Sequence, residues 1–161
     1  MKQNVVIVGL GLIGGSFAKA FRKYTDCTVI GMDCCRETAE AALAAGAIEK
    51  IGTPDDLPNA DFVFLCLYPK ICEQWLREHL KYLNRNCIVT DTCGIKSWLC
   101  PRMKKLSEEG GFTFIGSHPM AGREKSGFGQ SDADLFLGAS YILVPCGAPR
   151  AAVEALTELV L

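Results

Sequence analysis

The stretch Asn4–Gly14, NVVIVGLGLIG, decides the fold of this chain. It begins with an aliphatic run of the kind found in central parallel strands that are buried on both faces. A G-x-G-x-x-G pattern follows directly, and Leu12–Tyr24 then places apolar residues at helical spacing. This order of strand, glycine turn and helix predicts the first unit of a dinucleotide-binding fold.

Each glycine of the pattern has a separate physical task. Gly9 permits the tight turn after the strand, and Gly11 lets the backbone approach a pyrophosphate. Gly14 lets the helix pack closely on the strand, and the amino terminus of the helix faces the phosphates. A glycine-rich turn without a ligand is the alternative. The predicted pyrophosphate site consists of Gly9, Gly11, Leu12, Ile13 and Gly14.

Apolar runs alternate with amphipathic stretches along the rest of the chain. This alternation predicts an α/β fold: a doubly wound, mostly parallel sheet with helices on both faces, the Rossmann-type dinucleotide-binding domain. The predicted strands are Asn4–Val8, Cys27–Asp33, Ala60–Leu67, Cys87–Asp91, Phe112–Gly116 and Ser140–Val144. The predicted helices are Leu12–Tyr24, Arg36–Ala45, one that begins at Pro69, Lys96–Glu109 with an interruption at Pro101, and one that begins at Pro149.

The length of 161 residues is that of a single domain. We expect residues 1–148 to form the dinucleotide-binding domain. Residues 149–161 are expected to begin a helix, and because this stretch is still apolar at its last residues, we expect the natural chain to continue into a part that is absent here.

Composition and charge narrow the classes of partner. With 17 basic and 18 acidic residues the formal net charge is −1, which provides no basic surface for nucleic acid or an anionic membrane. The nine cysteines form no C-x-x-C pair. We therefore expect reduced thiols, no metal site and a cytoplasmic location. No apolar run is long enough to span a membrane. The balanced charge favours a small molecule or another protein as the partner.

The predicted second strand ends at Asp33. A carboxylate at this place accepts hydrogen bonds from the adenosine ribose and repels a 2′-phosphate, which favours NAD over NADP. Arg36 lies close by in the sequence, and an arginine there can accommodate a 2′-phosphate, so NADP remains the less favoured alternative. A solvated turn residue is the other interpretation of Asp33.

Ligands of open parallel sheets bind beyond the carboxyl ends of the strands. The predicted strands Ala60–Leu67 and Cys87–Asp91 end at residues 67–69 and 91–94. We therefore expect these two segments to border the ligand. Lys96, which follows the second of these segments, is interpreted as a solvated residue at the start of a helix. The strand ends add four candidate cofactor-binding residues: Leu67, Pro69, Asp91 and Thr92.

The chain contains two histidines. His79 lies among charged residues on a predicted helix, where a solvated position is expected. His118 follows the predicted strand Phe112–Gly116, and Pro119 biases its backbone towards an extended conformation. An imidazole titrates near neutrality and suits proton abstraction from a hydroxyl as hydride leaves. His118 is therefore the candidate catalytic base, and a histidine that caps nearby backbone is the alternative.

Five motifs resemble the prephenate/arogenate dehydrogenase family, in its N-terminal nucleotide-binding domain only. Gly116–Gly127 is the most specific of them, because its small and polar residues are not explained by core packing. The motifs are Gly9–Ser16 (GLGLIGGS), Thr90–Lys96 (TDTCGIK), Gly116–Gly127 (GSHPMAGREKSG), Ala133–Phe136 (ADLF) and Tyr141–Pro145 (YILVP).

The resemblance implies an NAD-dependent oxidative decarboxylation of prephenate to 4-hydroxyphenylpyruvate in tyrosine biosynthesis, with arogenate as the alternative substrate. In that reaction His118 would take the proton of the ring hydroxyl. Ser117, Glu124 and Gly94 would lie at the substrate, although Glu124 has the alternative of an ordinary surface carboxylate. The family often has a serine at the position of Gly94 that bonds the histidine, a contact that Thr92, a neighbouring cysteine or a water would have to supply here.

The resemblance also implies a helical C-terminal domain that dimerises and completes the substrate site. We therefore expect a homodimer of the full-length protein, and poor or no turnover by this chain alone. Two alternatives remain open. One is another dehydrogenase with this cofactor domain, such as a β-hydroxyacid dehydrogenase or a pyrroline carboxylate reductase, and the other is a non-catalytic NAD-binding module.

Overall fold

The computed structural model of the protein describes all residues from Met1 to Leu161. Its strands are β1 (Asn4–Val8), β2 (Thr28–Met32), β3 (Lys50–Ile51), β4 (Phe62–Leu65), β5 (Ile88–Asp91), β6 (Thr113–Pro119) and β7 (Tyr141–Val144). Its helices are α1 (Leu12–Tyr24), α2 (Arg36–Ala44), α3 (Pro69–His79), α4 (Lys96–Gly110) and α5 (Arg150–Val160). Short 3-10 turns lie at Pro54–Asn59, Leu80–Tyr82 and Phe128–Gln130.

All seven strands belong to one sheet, in the order β3-β2-β1-β4-β5-β6-β7. The first six run parallel, and β1 lies between β2 and β4, with Val5 opposite both Val29 and Phe62. The chain winds outwards from β1 in one direction and then, from β4, in the other. This reversal opens a crevice at the carboxyl ends of β1 and β4, where open sheets of this kind bind ligands. The predicted fold class is confirmed.

The core consists of two apolar layers, one on each face of the sheet. Side chains alternate between the faces along β1, and Val5 to Val8 are at most 3% exposed. One layer contains Val6 and Val8 with side chains of α3 and α4, and the other contains Val5 and Ile7 with side chains of α1 and α5. Burial of each such side chain stabilises the fold by about 1.5–3 kcal/mol. The amphipathic helices therefore cover both faces and leave the carboxyl edge for ligands.

The helix α4 continues through Pro101, so the predicted interruption there is wrong. A proline inside a helix removes the hydrogen bond to the carbonyl four residues earlier, which here belongs to Ser97. Both residues are exposed. Water can therefore hydrate the Ser97 carbonyl, and the helix tolerates the proline without a break.

The sheet differs from the prediction at β3, β6 and β7. The two residues of β3 are too few to show a periodicity in the sequence. β6 extends to Pro119 instead of ending at Gly116, so that His118 lies inside a strand. β7 pairs antiparallel with β6, because the connection between them contains only a 3-10 turn and no crossover helix. None of the five helices combines the length and apolar character needed to cross a bilayer.

Candidate active site

The glycine turn after β1 is shaped by steric contacts at two of its three glycines. Gly9 has a φ of +89°, and a Cβ atom there would lie 2.4 Å from the carbonyl O of Cys66. A Cβ atom at Gly14 would lie 1.7 Å from the carbonyl O of Gly9. At Gly11 a Cβ atom would meet nothing within 4 Å. The fold thus requires Gly9 and Gly14, whereas Gly11 borders open space.

The amino terminus of α1 is available to an anion. Its N-cap residue, Gly11, offers no side-chain hydrogen bond, and no acidic residue lies in the first turn. The first N–H groups of a helix have no partner within the helix, and the helix dipole places partial positive charge there. Leu12 and Ile13, at this end, are half-buried. These properties fit the predicted pyrophosphate site.

Asp33 is held firmly just beyond the end of β2. Its Oδ2 accepts a hydrogen bond of 2.8 Å from the backbone N–H of Leu10, and its Oδ1 accepts one of 2.8 Å from that of Cys35. The carboxylate therefore sits next to the glycine turn, where the ribose is predicted. Arg36 lies on α2, and its Nε donates to Glu40 at 2.8 Å, which raises the pKa of the guanidinium. The pair is exposed and therefore weak, so the preference for NAD rests on Asp33.

Cys35 is expected to be the most reactive of the nine thiols. It is exposed at the amino end of α2, and hydrogen bonds from Thr38 lower the pKa of its thiol, so thiolate is present at lower pH than for an ordinary cysteine. Burial raises the pKa of Cys87, by contrast, to about 12. Alkylation near neutral pH, followed by mass spectrometry of the peptides, should modify Cys35 first, and NAD should protect it.

Its exposed neighbour Cys34 is the matched comparison, because it shares the same loop. Equal alkylation rates at Cys34 and Cys35 without ligand would contradict the expected reactivity. Equal rates with and without NAD would place the adenosine elsewhere than at the end of β2.

The segment after β4 borders the crevice between β1 and β4. The backbone carbonyl of Leu67 faces inwards and accepts weak hydrogen bonds from the thiols of Cys93 at 3.2 Å and Cys72 at 3.3 Å. Pro69 is the first residue of α3. Between them the side chain of Tyr68 is 84% exposed. This tyrosine was not predicted as a site residue, and its only signal in the sequence was an aromatic directly after an apolar run.

His118 is oriented by one hydrogen bond. Its Nδ1 lies 3.1 Å from the carbonyl O of Thr92. A carbonyl only accepts, so Nδ1 carries the proton in this contact, and in the neutral ring the lone pair lies on Nε2. A Cβ atom at Gly94 would lie 3.6 Å from Cε1 and 3.7 Å from Nε2 of the same ring. Thr92 and Gly94 thus flank the imidazole, and the neutral ring would present Nε2 as a general base.

Ser117 and Asp91 are the two predicted polar site residues that are completely buried. The Ser117 hydroxyl donates to the carbonyl O of Asp91 and accepts from Thr90 Oγ1 at 2.9 Å. It also lies 3.0 Å from the hydroxyl of Tyr141, whose pKa is raised by burial, so that this tyrosine stays protonated and donates. The enclosure disfavours the predicted contacts of Ser117 with substrate and of Asp91 with cofactor.

Lys96 is not the solvated residue that the sequence suggests. Its ammonium forms an ion pair with Asp91, and its side chain is only 16% exposed. Tyr141 and Thr90, the partners of Ser117, were not predicted as site residues. Each lies at the edge of an apolar run, and nothing in the sequence shows that they meet Ser117.

Glu124 lies on an exposed stretch of the loop between β6 and β7. The far half of that loop is tied to α1. Ser16 Oγ accepts from the backbone N–H of Asp132 at 3.0 Å, and Lys19 donates to the carbonyl O of Ser131 at 2.9 Å. The loop that carries Glu124 is therefore anchored on the same helix whose amino terminus faces the predicted pyrophosphate.

Metal chemistry has no candidate ligand set in this structure. No group of three or more His, Cys, Asp or Glu side chains is placed to hold a metal ion. All nine cysteines are free thiols.

The fold and the glycine turn together define a Rossmann-type nucleotide-binding domain. The family model described as prephenate dehydrogenase, nucleotide-binding domain, matches residues 17–161. The chain therefore belongs to the prephenate dehydrogenase family.

Known relatives agree with this assignment and are longer than the chain. Prephenate dehydrogenase of Bacillus subtilis is 32% identical over 165 residues, which cover 99% of this chain and 44% of that protein. The crystal structure of Synechocystis arogenate dehydrogenase has a TM-score of 0.92 and 28% identity over 98% of this chain and 56% of that one. Aquifex aeolicus prephenate dehydrogenase in complex with hydroxyphenyl propionate and NAD+ has a TM-score of 0.88 and 28% identity over 99% of this chain and 56% of its own. The chain thus spans about half the length of such relatives.

Proposed function

We propose that this chain is the cofactor-binding and proton-abstracting part of an enzyme that oxidises prephenate to 4-hydroxyphenylpyruvate with NAD. The observation that carries the proposal is the hydrogen bond of His118 Nδ1 to the Thr92 carbonyl, which in the neutral ring leaves the lone pair on Nε2, at the carboxyl edge of the sheet. Membership of the prephenate dehydrogenase family supports the substrate class. Arogenate is the alternative substrate, since a structural relative is an arogenate dehydrogenase.

The residues present fit an NAD molecule. A Cβ atom at Gly11 would meet no protein atom within 4 Å, so the backbone there is open to the close approach of a pyrophosphate. The uncapped amino terminus of α1 supplies N–H donors, and Asp33 supplies a fixed carboxylate for the ribose. Leu67 and Pro69 would border the nicotinamide half. NAD, when bound, would supply the hydride acceptor.

The role of this chain in the reaction is to remove a proton. His118 Nε2 would accept the proton of the ring hydroxyl as the hydride leaves the same carbon, and the Thr92 carbonyl would stabilise the imidazolium through Nδ1–H. A positioned base of this kind contributes typically about 10²–10⁴-fold to the rate. Loss of carbon dioxide with formation of the aromatic ring then makes the oxidation irreversible.

The substrate contacts are the least complete part of the site. Glu124 would stand at the mouth of the pocket, and Gly94 would lie beside the reacting ring. Lys96 is already paired with Asp91 and is not free to bind a carboxylate of the substrate. Groups that grip the two carboxylates of prephenate would therefore come from the part of the relatives that this chain does not span. We also propose a homodimeric, cytoplasmic enzyme.

The test is an assay of the full gene product with prephenate and with arogenate, each with NAD and with NADP. We expect nicotinamide reduction with prephenate and NAD. A preference for NADP would refute the role of Asp33, and a preference for arogenate would reassign the substrate. If a folded protein that still binds NADH showed no nicotinamide reduction in any of the four combinations, a non-catalytic NAD-binding module would remain as the interpretation.

Gly94→Ser is expected to strengthen the binding of prephenate. A Cβ atom fits there at ordinary contact distance from the His118 ring, so the hydroxyl would reach Nε2 or the substrate hydroxyl. One added hydrogen bond is worth about 0.5–1.5 kcal/mol, so KM for prephenate should fall by roughly two- to tenfold in steady-state assays. Gly94→Ala, which adds the Cβ alone, should leave KM unchanged. Equal effects of the two substitutions would show that packing, and not the hydroxyl, is responsible.

A further inference from the structure

The carboxylate of Asp91 is completely buried and has three partners within the protein. Its Oδ1 accepts a hydrogen bond of 3.1 Å from the backbone N–H of Ser117, and its Oδ2 accepts one of 2.9 Å from that of Cys93. The ammonium of Lys96 forms an ion pair with Oδ2. A buried charge is tolerated only when it is paired and hydrogen-bonded in this way.

Two of these partners adjoin the groups that orient His118. Ser117 directly precedes His118 in β6, and Cys93 directly follows Thr92, whose carbonyl accepts from Nδ1. One carboxylate therefore connects the two chain segments whose separation sets the length of the bond between His118 and Thr92.

The regular pairing of the strands does not perform this task. The parallel ladder between β5 and β6 ends with Thr90 opposite Ile115. Beyond that point, the Asp91 side chain takes the place of a backbone acceptor for Ser117. The hydrogen bond between Asp91 and the Ser117 N–H therefore lies just past the last paired residues of β5 and β6, next to His118.

We propose that Asp91 is a positioning residue for His118. By holding the N–H groups of Ser117 and Cys93, it keeps the Thr92 carbonyl against Nδ1 and maintains the Nδ1–H tautomer, so that the lone pair of Nε2 faces the crevice. Lys96 supports this arrangement by compensating the buried charge. The use of that lone pair as a base rests on the proposed function, but the tautomer does not.

The experiment is NMR of this 161-residue chain labelled with 15N in the histidine rings. His79 is an internal reference, because its Nδ1 bonds the Trp75 carbonyl at 2.7 Å, at the end of α3 that lies away from the carboxyl edge of the sheet. In the wild type at a pH where both rings are neutral, both should show a pyrrole-type Nδ1 and a pyridine-type Nε2. In Asp91→Asn the tautomer ratio of His118 should move about three- to tenfold towards Nε2–H, as expected for the loss of a typical hydrogen bond, and that of His79 should not move.

Asp61→Asn is the matched control. Asp61 also accepts a backbone N–H, that of Asn4 at 2.7 Å, but at the opposite end of the sheet. It should leave both histidines unchanged. The backbone amide spectrum shows whether each variant is folded. If Asp91→Asn is not folded, Asp91→Glu is the second variant, because it displaces the carboxylate while keeping the charge for Lys96. It should shift the tautomer ratio of His118 in the same direction.

Two results would overturn the proposal. The first is an Nε2–H tautomer of His118 in the wild type, which needs no variant to be observed. The second is an unchanged His118 tautomer in a folded Asp91 variant. An unchanged tautomer in a folded Asp91 variant leaves the assigned reaction standing, whereas an Nε2–H tautomer in the wild type also removes the observation that carries the proposed function. An absence of turnover with prephenate, in turn, leaves the tautomer result standing.

Discussion

Replacing His118 with asparagine is expected to lower kcat for prephenate oxidation by about 10²–10⁴-fold, the usual contribution of a positioned general base. Asparagine can still donate to the Thr92 carbonyl, which the histidine reaches at 3.1 Å, but it has no basic nitrogen for the proton of the substrate. The affinity for NADH, followed by fluorescence titration, should stay unchanged because the ring is not part of the pyrophosphate or ribose site. Steady-state assays of the full gene product measure the loss of kcat.

His79→Asn is the control for that experiment. His79 is the other histidine of the chain and stacks on Trp75, with ring centroids 4.2 Å apart, on α3. It should retain wild-type kcat. If the two variants lost activity equally, the loss would reflect the fold and not the chemistry. If His118→Asn retained full activity, His118 would not be the base.

The second large effect is expected from Gly14→Ala. A Cβ atom at Gly14 would lie 1.7 Å from the backbone carbonyl of Gly9, and a backbone atom cannot move aside as a flexible side chain can. Overpacking of a core costs about 1–3 kcal/mol and occasionally more, and we expect at least about 3 kcal/mol here. For a domain of this size each kcal/mol lowers Tm by about 2–4 °C. Calorimetry should therefore show a fall of roughly 6–12 °C.

Gly11→Ala, three residues earlier, is the matched substitution with the opposite outcome. A Cβ atom at Gly11 meets no protein atom within 4 Å, so Tm should be close to that of the wild type. The methyl group would instead occupy the space of the pyrophosphate. Loss of one hydrogen bond to a charged group costs about 1.5–3 kcal/mol, so the affinity for NAD should fall by at least about tenfold. A loss of Tm without a loss of affinity would show that Gly11 serves the fold and not the cofactor.

The sequence predicted those parts of the molecule whose cause is local. The glycine turn could be found because its spacing, between an aliphatic run and a helical periodicity, has a steric cause that acts over six positions. The orientation of β7 was also within reach, because residues 120–140 show no long helical periodicity and a parallel return needs a crossover helix. Pro101 was misjudged because exposure of its partner carbonyl is a property of the folded chain.

The same distinction, between features with a local cause and features of the folded chain, applies to the candidate site. By itself the sequence determined the sheet with its helices, and it predicted the place of the pyrophosphate and His118 as the base, since each follows from neighbouring residues. Only the tertiary structure decided the hydrogen bond of His118 to the Thr92 carbonyl, the enclosure of Ser117 and the engagement of Asp91 by Cys93, Ser117 and Lys96. The physical reason is that β5 and β6 are separated by a whole helix in the chain. A contact such as that of Asp91 with Ser117 therefore leaves no periodic trace in the sequence and exists only once the strands lie side by side.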